Sequence, residues 1–131
     1  MKFERASGVL LHPTCLPGPY GIGEIGPEAV RFLDFLHTTG QRLWQILPIG
    51  PTSYGDSPYQ SFSTYAGNPY YVDLEFLIRD GLLTREEADS FDWGADPERT
   101  DYGTIYENRF KALRIAFGRG WESEQQKIAA F

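Results

Sequence analysis

The alternation of apolar and polar positions predicts a strand, a helix and a second strand in the first part of the chain. Residues 7–11 form a short apolar run typical of a strand, and the apolar run at 43–47 indicates a buried strand. Pro27 suits the first position of a helix, because its missing N–H would have no partner there, and Gly40 is placed to end that helix. Its apolar positions at helical spacing are Ala29, Val30, Leu33 and Leu36. Strand, helix and strand form a βαβ unit, which implies a parallel pair of strands.

The second half of the pattern predicts helices. Thr84 and, three residues later, Glu87 make a capping box, which marks the start of a helix. A further helix is predicted to end at Gly118 and Gly120, and residues 121–131 are predicted to be helical again. The apolar face of that further helix consists of Tyr106, Phe110, Leu113 and Phe117.

Between these regions, residues 48–69 form a loop rich in proline, glycine and serine, which prevents regular structure. A loop that leaves the carboxyl end of a strand is where parallel α/β folds keep their ligand sites. This loop combines flat aromatic faces with short polar groups, the mixture that binds sugars. These side chains are Tyr54, Asp56, Ser57, Tyr59, Gln60 and Ser61. Composition alone leaves a second interpretation open, a proline-stiffened connection whose tyrosines pack.

Three ordered motifs resemble the amylomaltase family, the 4-α-glucanotransferases. The first is Tyr-Gly-Asp-Ser-Pro-Tyr-Gln-Ser-Phe-Ser at 54–63, followed by Ala-Gly-Asn-Pro at 66–69. Segments 7–23 and 41–51 match the family in the expected order. Together they extend the resemblance over roughly residues 5–117. One small departure lies at position 15, where this sequence has Cys and the family more often has Ser.

The resemblance implies an α/β fold, the N-terminal portion of a (β/α)8 TIM barrel with an inserted, mainly helical subdomain. Residues 1–50 would form the first βαβ unit, residues 51–75 a loop on the substrate side, and residues 76–131 the start of the subdomain. A barrel of eight such units takes about 250 residues. We therefore expect this chain to be the N-terminal part of a larger enzyme.

The implied reaction transfers a segment of a 1,4-α-glucan to the 4-hydroxyl of another glucan or of glucose. Retaining transfer needs two carboxyl groups about 5 Å apart. In the family, the catalytic Asp, Glu and further Asp lie at later barrel strands, so no catalytic residue is expected here. Asp56 is the local alternative, but no second carboxylate stands at suitable range in the sequence. We interpret Asp56 as a turn residue whose carboxylate accepts from the backbone two residues on.

The resemblance also implies which residues contact substrate. Tyr59 matches the family tyrosine beside the scissile-bond subsites, where it would stack on the donor sugar, and Ser57 and Gln60 are its near neighbours. Tyr54 matches a family tyrosine of a separate, outer glucan-binding groove, and Tyr102 lies in a shorter match to its partner there. For each tyrosine the alternative is a packed loop aromatic whose hydroxyl bonds to backbone.

Charge and cysteine content narrow the class of partner. A formal net charge of −6 argues against nucleic acid and against an anionic membrane, whereas a neutral glucan is compatible with it. Cys15 is the only cysteine in the sequence, and the first residues lack the long apolar region of a signal peptide, so we expect a cytoplasmic protein. The sequence makes no prediction of oligomeric state.

Two patterns in the sequence bear on cofactor binding. The glycines at 21, 23 and 26 fit the dinucleotide-binding spacing, but nine residues with three prolines separate them from the preceding strand. A glycine-rich turn before the helix is the better interpretation. His12 and His37 lack partners at metal-ligand spacing, so neither a cofactor nor a metal is expected.

The sequence leaves two alternative functions open. In the first alternative, the chain is a complete, non-catalytic glucan-binding or interaction protein derived from the same scaffold. Two parallel strands alone would then leave large apolar patches exposed. The second is a hydrolase or related transglycosylase on this scaffold, because water and a sugar hydroxyl compete for the same intermediate.

Overall fold

The structure, a computed structural model, describes residues 4–123, 125 and 129. In chain order its strands and helices are β1 (Gly8–Leu10), a 3-10 helix (Pro13–Cys15), α1 (Pro27–Thr38), β2 (Leu43–Gln45), a second 3-10 helix (Pro69–Tyr71), α2 (Leu74–Arg79), α3 (Arg85–Asp89) and α4 (Tyr102–Ser123). The chain divides into two compact units. The first unit comprises Met1–Gly18 and Ile22–Val72, and the second comprises Pro19–Gly21 and Asp73–Phe131.

The first unit contains the predicted βαβ arrangement. β1 and β2 pair in parallel, with Gly8 opposite Leu43. A side chain at Gly8 would clash, since a Cβ there would lie 2.4 Å from the Leu43 carbonyl oxygen. The prediction of a buried strand at 43–47 is wrong for the described residues, because Leu43 and Ile46 are exposed. Within the described residues the sheet has two strands, and Leu10 and Leu43 on them are exposed.

The predicted start and end of α1 are confirmed. Pro27 occupies the first helical position. At the other end Gly40 has φ 72°, and its N–H donates to the His37 carbonyl at 3.1 Å. The Gln41 N–H donates to the Leu36 carbonyl at 2.8 Å. These two bonds make a Schellman motif, in which a left-handed glycine closes the last turn.

The apolar face predicted for α1 is half right. Ala29 and Leu36 are buried, whereas Val30 and Leu33 are exposed. Phe32 makes an edge contact with Trp44 of β2, with ring centroids 5.0 Å apart. The narrow sheet covers only a strip of the helix, and the rest of the apolar stripe stays uncovered within the described residues.

The second unit has its own hydrophobic core. Its buried cluster consists of Tyr20, Leu74, Leu83, Ala88 and Ala112. Short helices are fixed by side-chain caps: the Asp73 carboxylate accepts from the Phe76 N–H at 2.8 Å at the start of α2. The capping box predicted at Thr84 is confirmed, with the Glu87 carboxylate accepting from the Thr84 N–H at 2.9 Å.

The predicted end of the last helix is wrong. α4 continues through both Gly118 and Gly120 to Ser123. A glycine costs about 1 kcal/mol in a helix, and tertiary packing overrides this cost. Gly120 is buried against Leu82, where a Cβ would lie 3.4 Å from a Leu82 methyl carbon. The helix predicted over 121–131 forms part of α4 as far as Ser123, and its remainder, apart from residues 125 and 129, lies outside the described residues.

The predicted apolar face of α4 is only partly right, because Leu113 packs against the core of the second unit. Tyr106 and Phe117 are both more than half exposed. The buried positions of the helix are Ile105, Arg109, Ala112, Ala116 and Gly120. Small residues occupy three of these five positions, and the other two, Arg109 and Ile105, are among the largest fully buried side chains.

A hydrogen-bonded cluster attaches residues 19–21 to the second unit. The buried Tyr20 hydroxyl donates to Glu75 Oε1 at 2.7 Å, and Arg85 Nη1 donates to Tyr20 Oη at 2.8 Å. Arg85 also donates to the Glu75 carboxylate, at 2.6 Å to Oε1. These bonds from Arg85, with a smaller contribution from Tyr20, lower the pKa of Glu75. Tyr20 therefore belongs to the second unit although it precedes α1 in the sequence.

A second carboxylate in this unit gives a pH prediction. Arg119 donates to both oxygens of Glu87 at 2.6 Å, and with the Thr84 N–H this lowers the pKa of Glu87 from 4.5 to about 2. A lowered pKa stabilises the fold above the unfolded value, and this contribution is lost as the pH falls from about 4.5 through 2. Glu87→Gln keeps the capping box, which accepts Gln at this position, but removes the charge.

We expect Glu87→Gln to lower the melting temperature at pH 7. The difference in melting temperature between the variant and the unchanged protein should shrink progressively as the pH approaches 2. It is measured from melting curves recorded by circular dichroism at fixed ionic strength. A gap independent of pH would contradict the assignment, because it would place the effect of the substitution outside the titrating ion pair.

Candidate functional site

The loop predicted to carry the site leaves β2 and spans residues 48–69 of the first unit, here called the site loop. An antiparallel bridge between Thr52 and Ser61 closes it. The Ser53 hydroxyl donates to the Gln60 carbonyl at 3.0 Å. Nearer its base, the Asn68 side-chain amide donates to the Gly50 carbonyl at 3.1 Å. These bonds join the two sides of the loop, so its aromatic residues are held on an ordered backbone.

Asp56 lies in a turn, but the predicted bond is wrong. The residue two positions on is Pro58, which has no N–H to donate. The turn is made instead by the Asp56 N–H, which donates to the Ser53 carbonyl at 3.0 Å, with φ 97° at Gly55 and 53° at Asp56. A positive φ at the third turn position requires glycine, and Asp tolerates the left-handed region that follows. Asp56 is therefore a turn residue, as predicted, but it forms the turn through its main-chain N–H.

A second turn carries Tyr59. The Gln60 N–H donates to the Ser57 carbonyl at 3.0 Å, and Ser57 Oγ accepts from the Tyr59 N–H at 3.4 Å. The bond predicted for the Asp56 side chain, to the N–H two residues on, is thus made one position later by the serine. Ser57 sets the backbone of Tyr59, whose residue surface is 71% exposed.

The site loop brings four of the five predicted contact residues together on these successive turns: Tyr54, Ser57, Tyr59 and Gln60. Tyr54 is fully exposed. Neither Tyr54 nor Tyr59 is therefore packed within the described residues, as the alternative of a packed loop aromatic would require.

Tyr102 belongs to the second unit, where it is the first residue of α4. Asp101 caps the helix: its carboxylate accepts from the Thr104 N–H at 3.2 Å and from the Thr104 hydroxyl at 3.0 Å. These bonds lower the pKa of Asp101. The half-buried ring of Tyr102 thus has its backbone fixed by a capped helix start.

Two further exposed aromatics of the site loop were not singled out from the sequence. Phe62 and Tyr65 lie beyond Tyr59, and Tyr65 is 98% exposed. The signal that marked Tyr54, an aromatic residue among prolines, glycines and serines, applied to them equally.

The glycine-rich turn before α1 has a structural role, as interpreted from the sequence. A Cβ at Gly23 would lie 2.1 Å from the Pro13 carbonyl oxygen, so this glycine permits close approach of the chain to its own backbone. Among the described residues, no group of three or more His, Cys, Asp and Glu is arranged to hold a metal ion. Likewise no described helix has both the length and the hydropathy to span a bilayer.

His12 follows β1 and contacts Tyr71. The Tyr71 hydroxyl lies 2.7 Å from His12 Nε2, and the two rings meet edge to face with centroids 5.9 Å apart. Burial lowers the pKa of His12. The neutral imidazole is therefore favoured, and this histidine serves to hold the 3-10 helix containing Tyr71.

The sequence matches a known protein family over most of its length. The family model described as 4-alpha-glucanotransferase matches residues 11–131. The 4-alpha-glucanotransferase of Thermus thermophilus is 51% identical over an alignment of 136 positions, which covers 100% of this chain and 26% of that protein. The chloroplastic/amyloplastic 4-alpha-glucanotransferase of Solanum tuberosum is 45% identical, over 92% of this chain and 21% of its own length.

A solved structure agrees in fold. The amylomaltase from Streptococcus agalactiae in complex with acarbose superposes with a TM-score of 0.90 and 44% sequence identity, over 96% of this chain and 26% of that one. The chain spans about a quarter of the length of the curated relatives it matches. The family match over residues 11–131 and the 51% identity to a relative show that the chain belongs to the 4-alpha-glucanotransferase family.

Proposed function

We propose that this chain acts as part of a 4-α-glucanotransferase, which moves a segment of a 1,4-α-glucan to the 4-hydroxyl of another glucan or of glucose. The observation that carries the proposal is the family match over residues 11–131. Retention through a covalent intermediate requires two carboxyl groups about 5 Å apart. We assign neither of them to the described residues of this chain.

In this proposal, β1, α1 and β2 are the first βαβ unit of a (β/α)8 barrel, over residues 1–50. Residues 51–75 are the loop on the substrate side, and residues 76–131 begin an inserted helical subdomain. The parallel register of β1 and β2 and the exposed apolar side chains on α1 support it, since both are what a barrel's first unit needs. Relatives four times as long supply enough chain for eight units.

The proposed substrate contacts lie in the site loop. Tyr59 provides a face for stacking on the donor sugar, and the side chains of Ser57 and Gln60 offer hydrogen bonds to sugar hydroxyls. Tyr54 and, in the second unit, Tyr102 are proposed as further glucan contacts. The proposed partner is a maltooligosaccharide or longer α-1,4-glucan, without a cofactor.

We also propose a cytoplasmic location. It rests on Cys15, which has no second cysteine in this sequence with which to form a disulfide, as is usual in a reducing compartment.

The test is the product pattern from maltotriose incubated with the native protein that carries this chain. We expect glucose together with oligosaccharides longer than maltotriose, separated by anion-exchange chromatography. Glucose and maltose without longer products would mean that water is the acceptor, and the protein would be a hydrolase. Binding of maltotriose without any product would favour the non-catalytic glucan-binding alternative.

A further inference from the structure

The site loop carries an aromatic residue with no partner in the described chain and no role in the proposal so far. Tyr65 is 98% exposed, so its ring touches almost nothing in the described part of the chain. Exposed aromatics elsewhere behave differently. On α4, Tyr106 packs on Phe110 with centroids 5.2 Å apart, and Phe117 packs on Trp121 at 5.3 Å.

The backbone that presents Tyr65 is ordered by serine side chains. Ser61 Oγ donates to the Ser63 carbonyl at 2.8 Å, and Ser63 Oγ accepts from the Ala66 N–H at 3.2 Å. Ser61 is also one side of the bridge that closes the loop. Tyr65 is thus held out from a short bend that begins at a fixed point, so less conformational entropy is lost when a ligand covers it.

Single exposed apolar residues are common on protein surfaces and need no explanation. Here four exposed aromatics occur in one short loop: Tyr54, Tyr59, Phe62 and Tyr65. Each glucose unit of a glucan presents an apolar ring face on which an exposed aromatic ring can stack. The hydroxyl of Tyr65 and the neighbouring side chain of Thr64 supply polar groups for sugar hydroxyls.

We propose that Tyr65 is a glucan-contacting residue, which stacks on a glucose unit of an α-1,4-glucan bound along the site loop. This inference rests on the proposed function and extends it by one contact. Its role is in affinity, because the proposed reacting groups lie elsewhere.

Tyr65 is tested in the native protein by initial rates with maltoheptaose. Tyr65→Ala should raise KM about fivefold and leave kcat within about twofold, as expected for loss of one aromatic contact used equally in ground and transition states. Tyr65→Phe keeps the flat ring and should retain the KM of the unchanged protein. Tyr65→Leu keeps apolar bulk without the flat face and should behave like Tyr65→Ala.

Tyr106→Ala, which removes an exposed tyrosine from α4, is the matched control and should leave KM unchanged. Melting temperatures of all variants are measured alongside. An unchanged KM in Tyr65→Ala would overturn the assignment of Tyr65 while leaving the proposed function intact, provided that transfer products still form from maltotriose. A second result would also overturn the assignment, in favour of a packing role. In that result Tyr65→Ala raises KM and lowers the melting temperature, and both Tyr65→Leu and Tyr65→Phe restore the two values. Absence of transfer by the unchanged protein would overturn both proposals.

Discussion

Replacing Tyr59 by alanine in the native protein is expected to lower kcat/KM for transfer from maltotriose by roughly tenfold to a hundredfold. A side chain that positions the sugar beside the reacting groups has an effect larger than its contact area, because small misplacements of substrate cost up to about 10²-fold in rate. Tyr59 is fixed for this role by the turn in which Ser57 Oγ accepts its N–H, and its ring is free to stack. The measurement is initial-rate kinetics with glucose release as the readout.

Tyr59→Phe is the matched control, since it keeps the ring and removes only the hydroxyl. If stacking is the main contribution, Tyr59→Phe should retain most of the activity. Equal losses in Tyr59→Phe and Tyr59→Ala would assign the effect to the hydroxyl instead. Maltotriose kinetics unchanged in Tyr59→Ala would remove Tyr59 from the site.

Replacing Gly21 by alanine is expected to be the most damaging of the glycine substitutions for the second unit, costing more than about 4 kcal/mol. Gly21 has φ 71°, a left-handed conformation that costs a residue with a Cβ about 1–2 kcal/mol. A Cβ there would also lie 2.0 Å from the Trp93 carbonyl oxygen and 2.6 Å from Ile105 Cδ1. Trp93 is held by a bond from its indole N–H to the Ala88 carbonyl at 2.9 Å, so it has little freedom to move away.

Two other glycines separate the contributions. Gly81 has φ 73° but nothing within 4 Å of an added Cβ. Gly81→Ala should therefore cost only the free energy of placing a residue with a Cβ in the left-handed conformation. Gly118→Ala, in α4 of the second unit, has neither a positive φ nor a contact within 4 Å and should not destabilise that unit. Hydrogen exchange of the amides in α2, α3 and α4 reports the stability of the second unit directly. Equal protection in Gly21→Ala and Gly81→Ala would show that the clash is relieved at no cost.

Features set by local chemistry were predictable from the sequence. Pro27, Gly40 and the Thr84–Glu87 capping box act within a few residues of themselves, and each marks a helix boundary that the structure contains. Long-range packing was not predictable. α4 continues through Gly120 because Leu82 covers that position, and no local signal in the sequence brings these two residues together.

The site loop was identified from its composition and from the family motif, but its internal bonds were not. An Asx-turn at Asp56 is excluded by the proline two residues on, a constraint that the sequence contains. Tyr65 lies outside the motif positions that the family resemblance assigns to glucan contacts, namely Tyr54 and Tyr59. Exposure, which distinguishes a presented ring from a packed one, depends on the whole fold and has no signature in the local sequence.

The place of Tyr20 in the second unit has a consequence for the order of events during synthesis. Its hydroxyl contacts Glu75 and Arg85, which follow it by 55 and 65 positions. On a translating ribosome, the segment between β1 and α1 emerges long before these partners, and contacts so distant in the chain form late. The ring of Tyr20 also packs edge to face on Trp93, with centroids 5.4 Å apart, so its native contacts are complete only after the chain has been made as far as that residue. The core of the second unit therefore forms only after translation has passed α3.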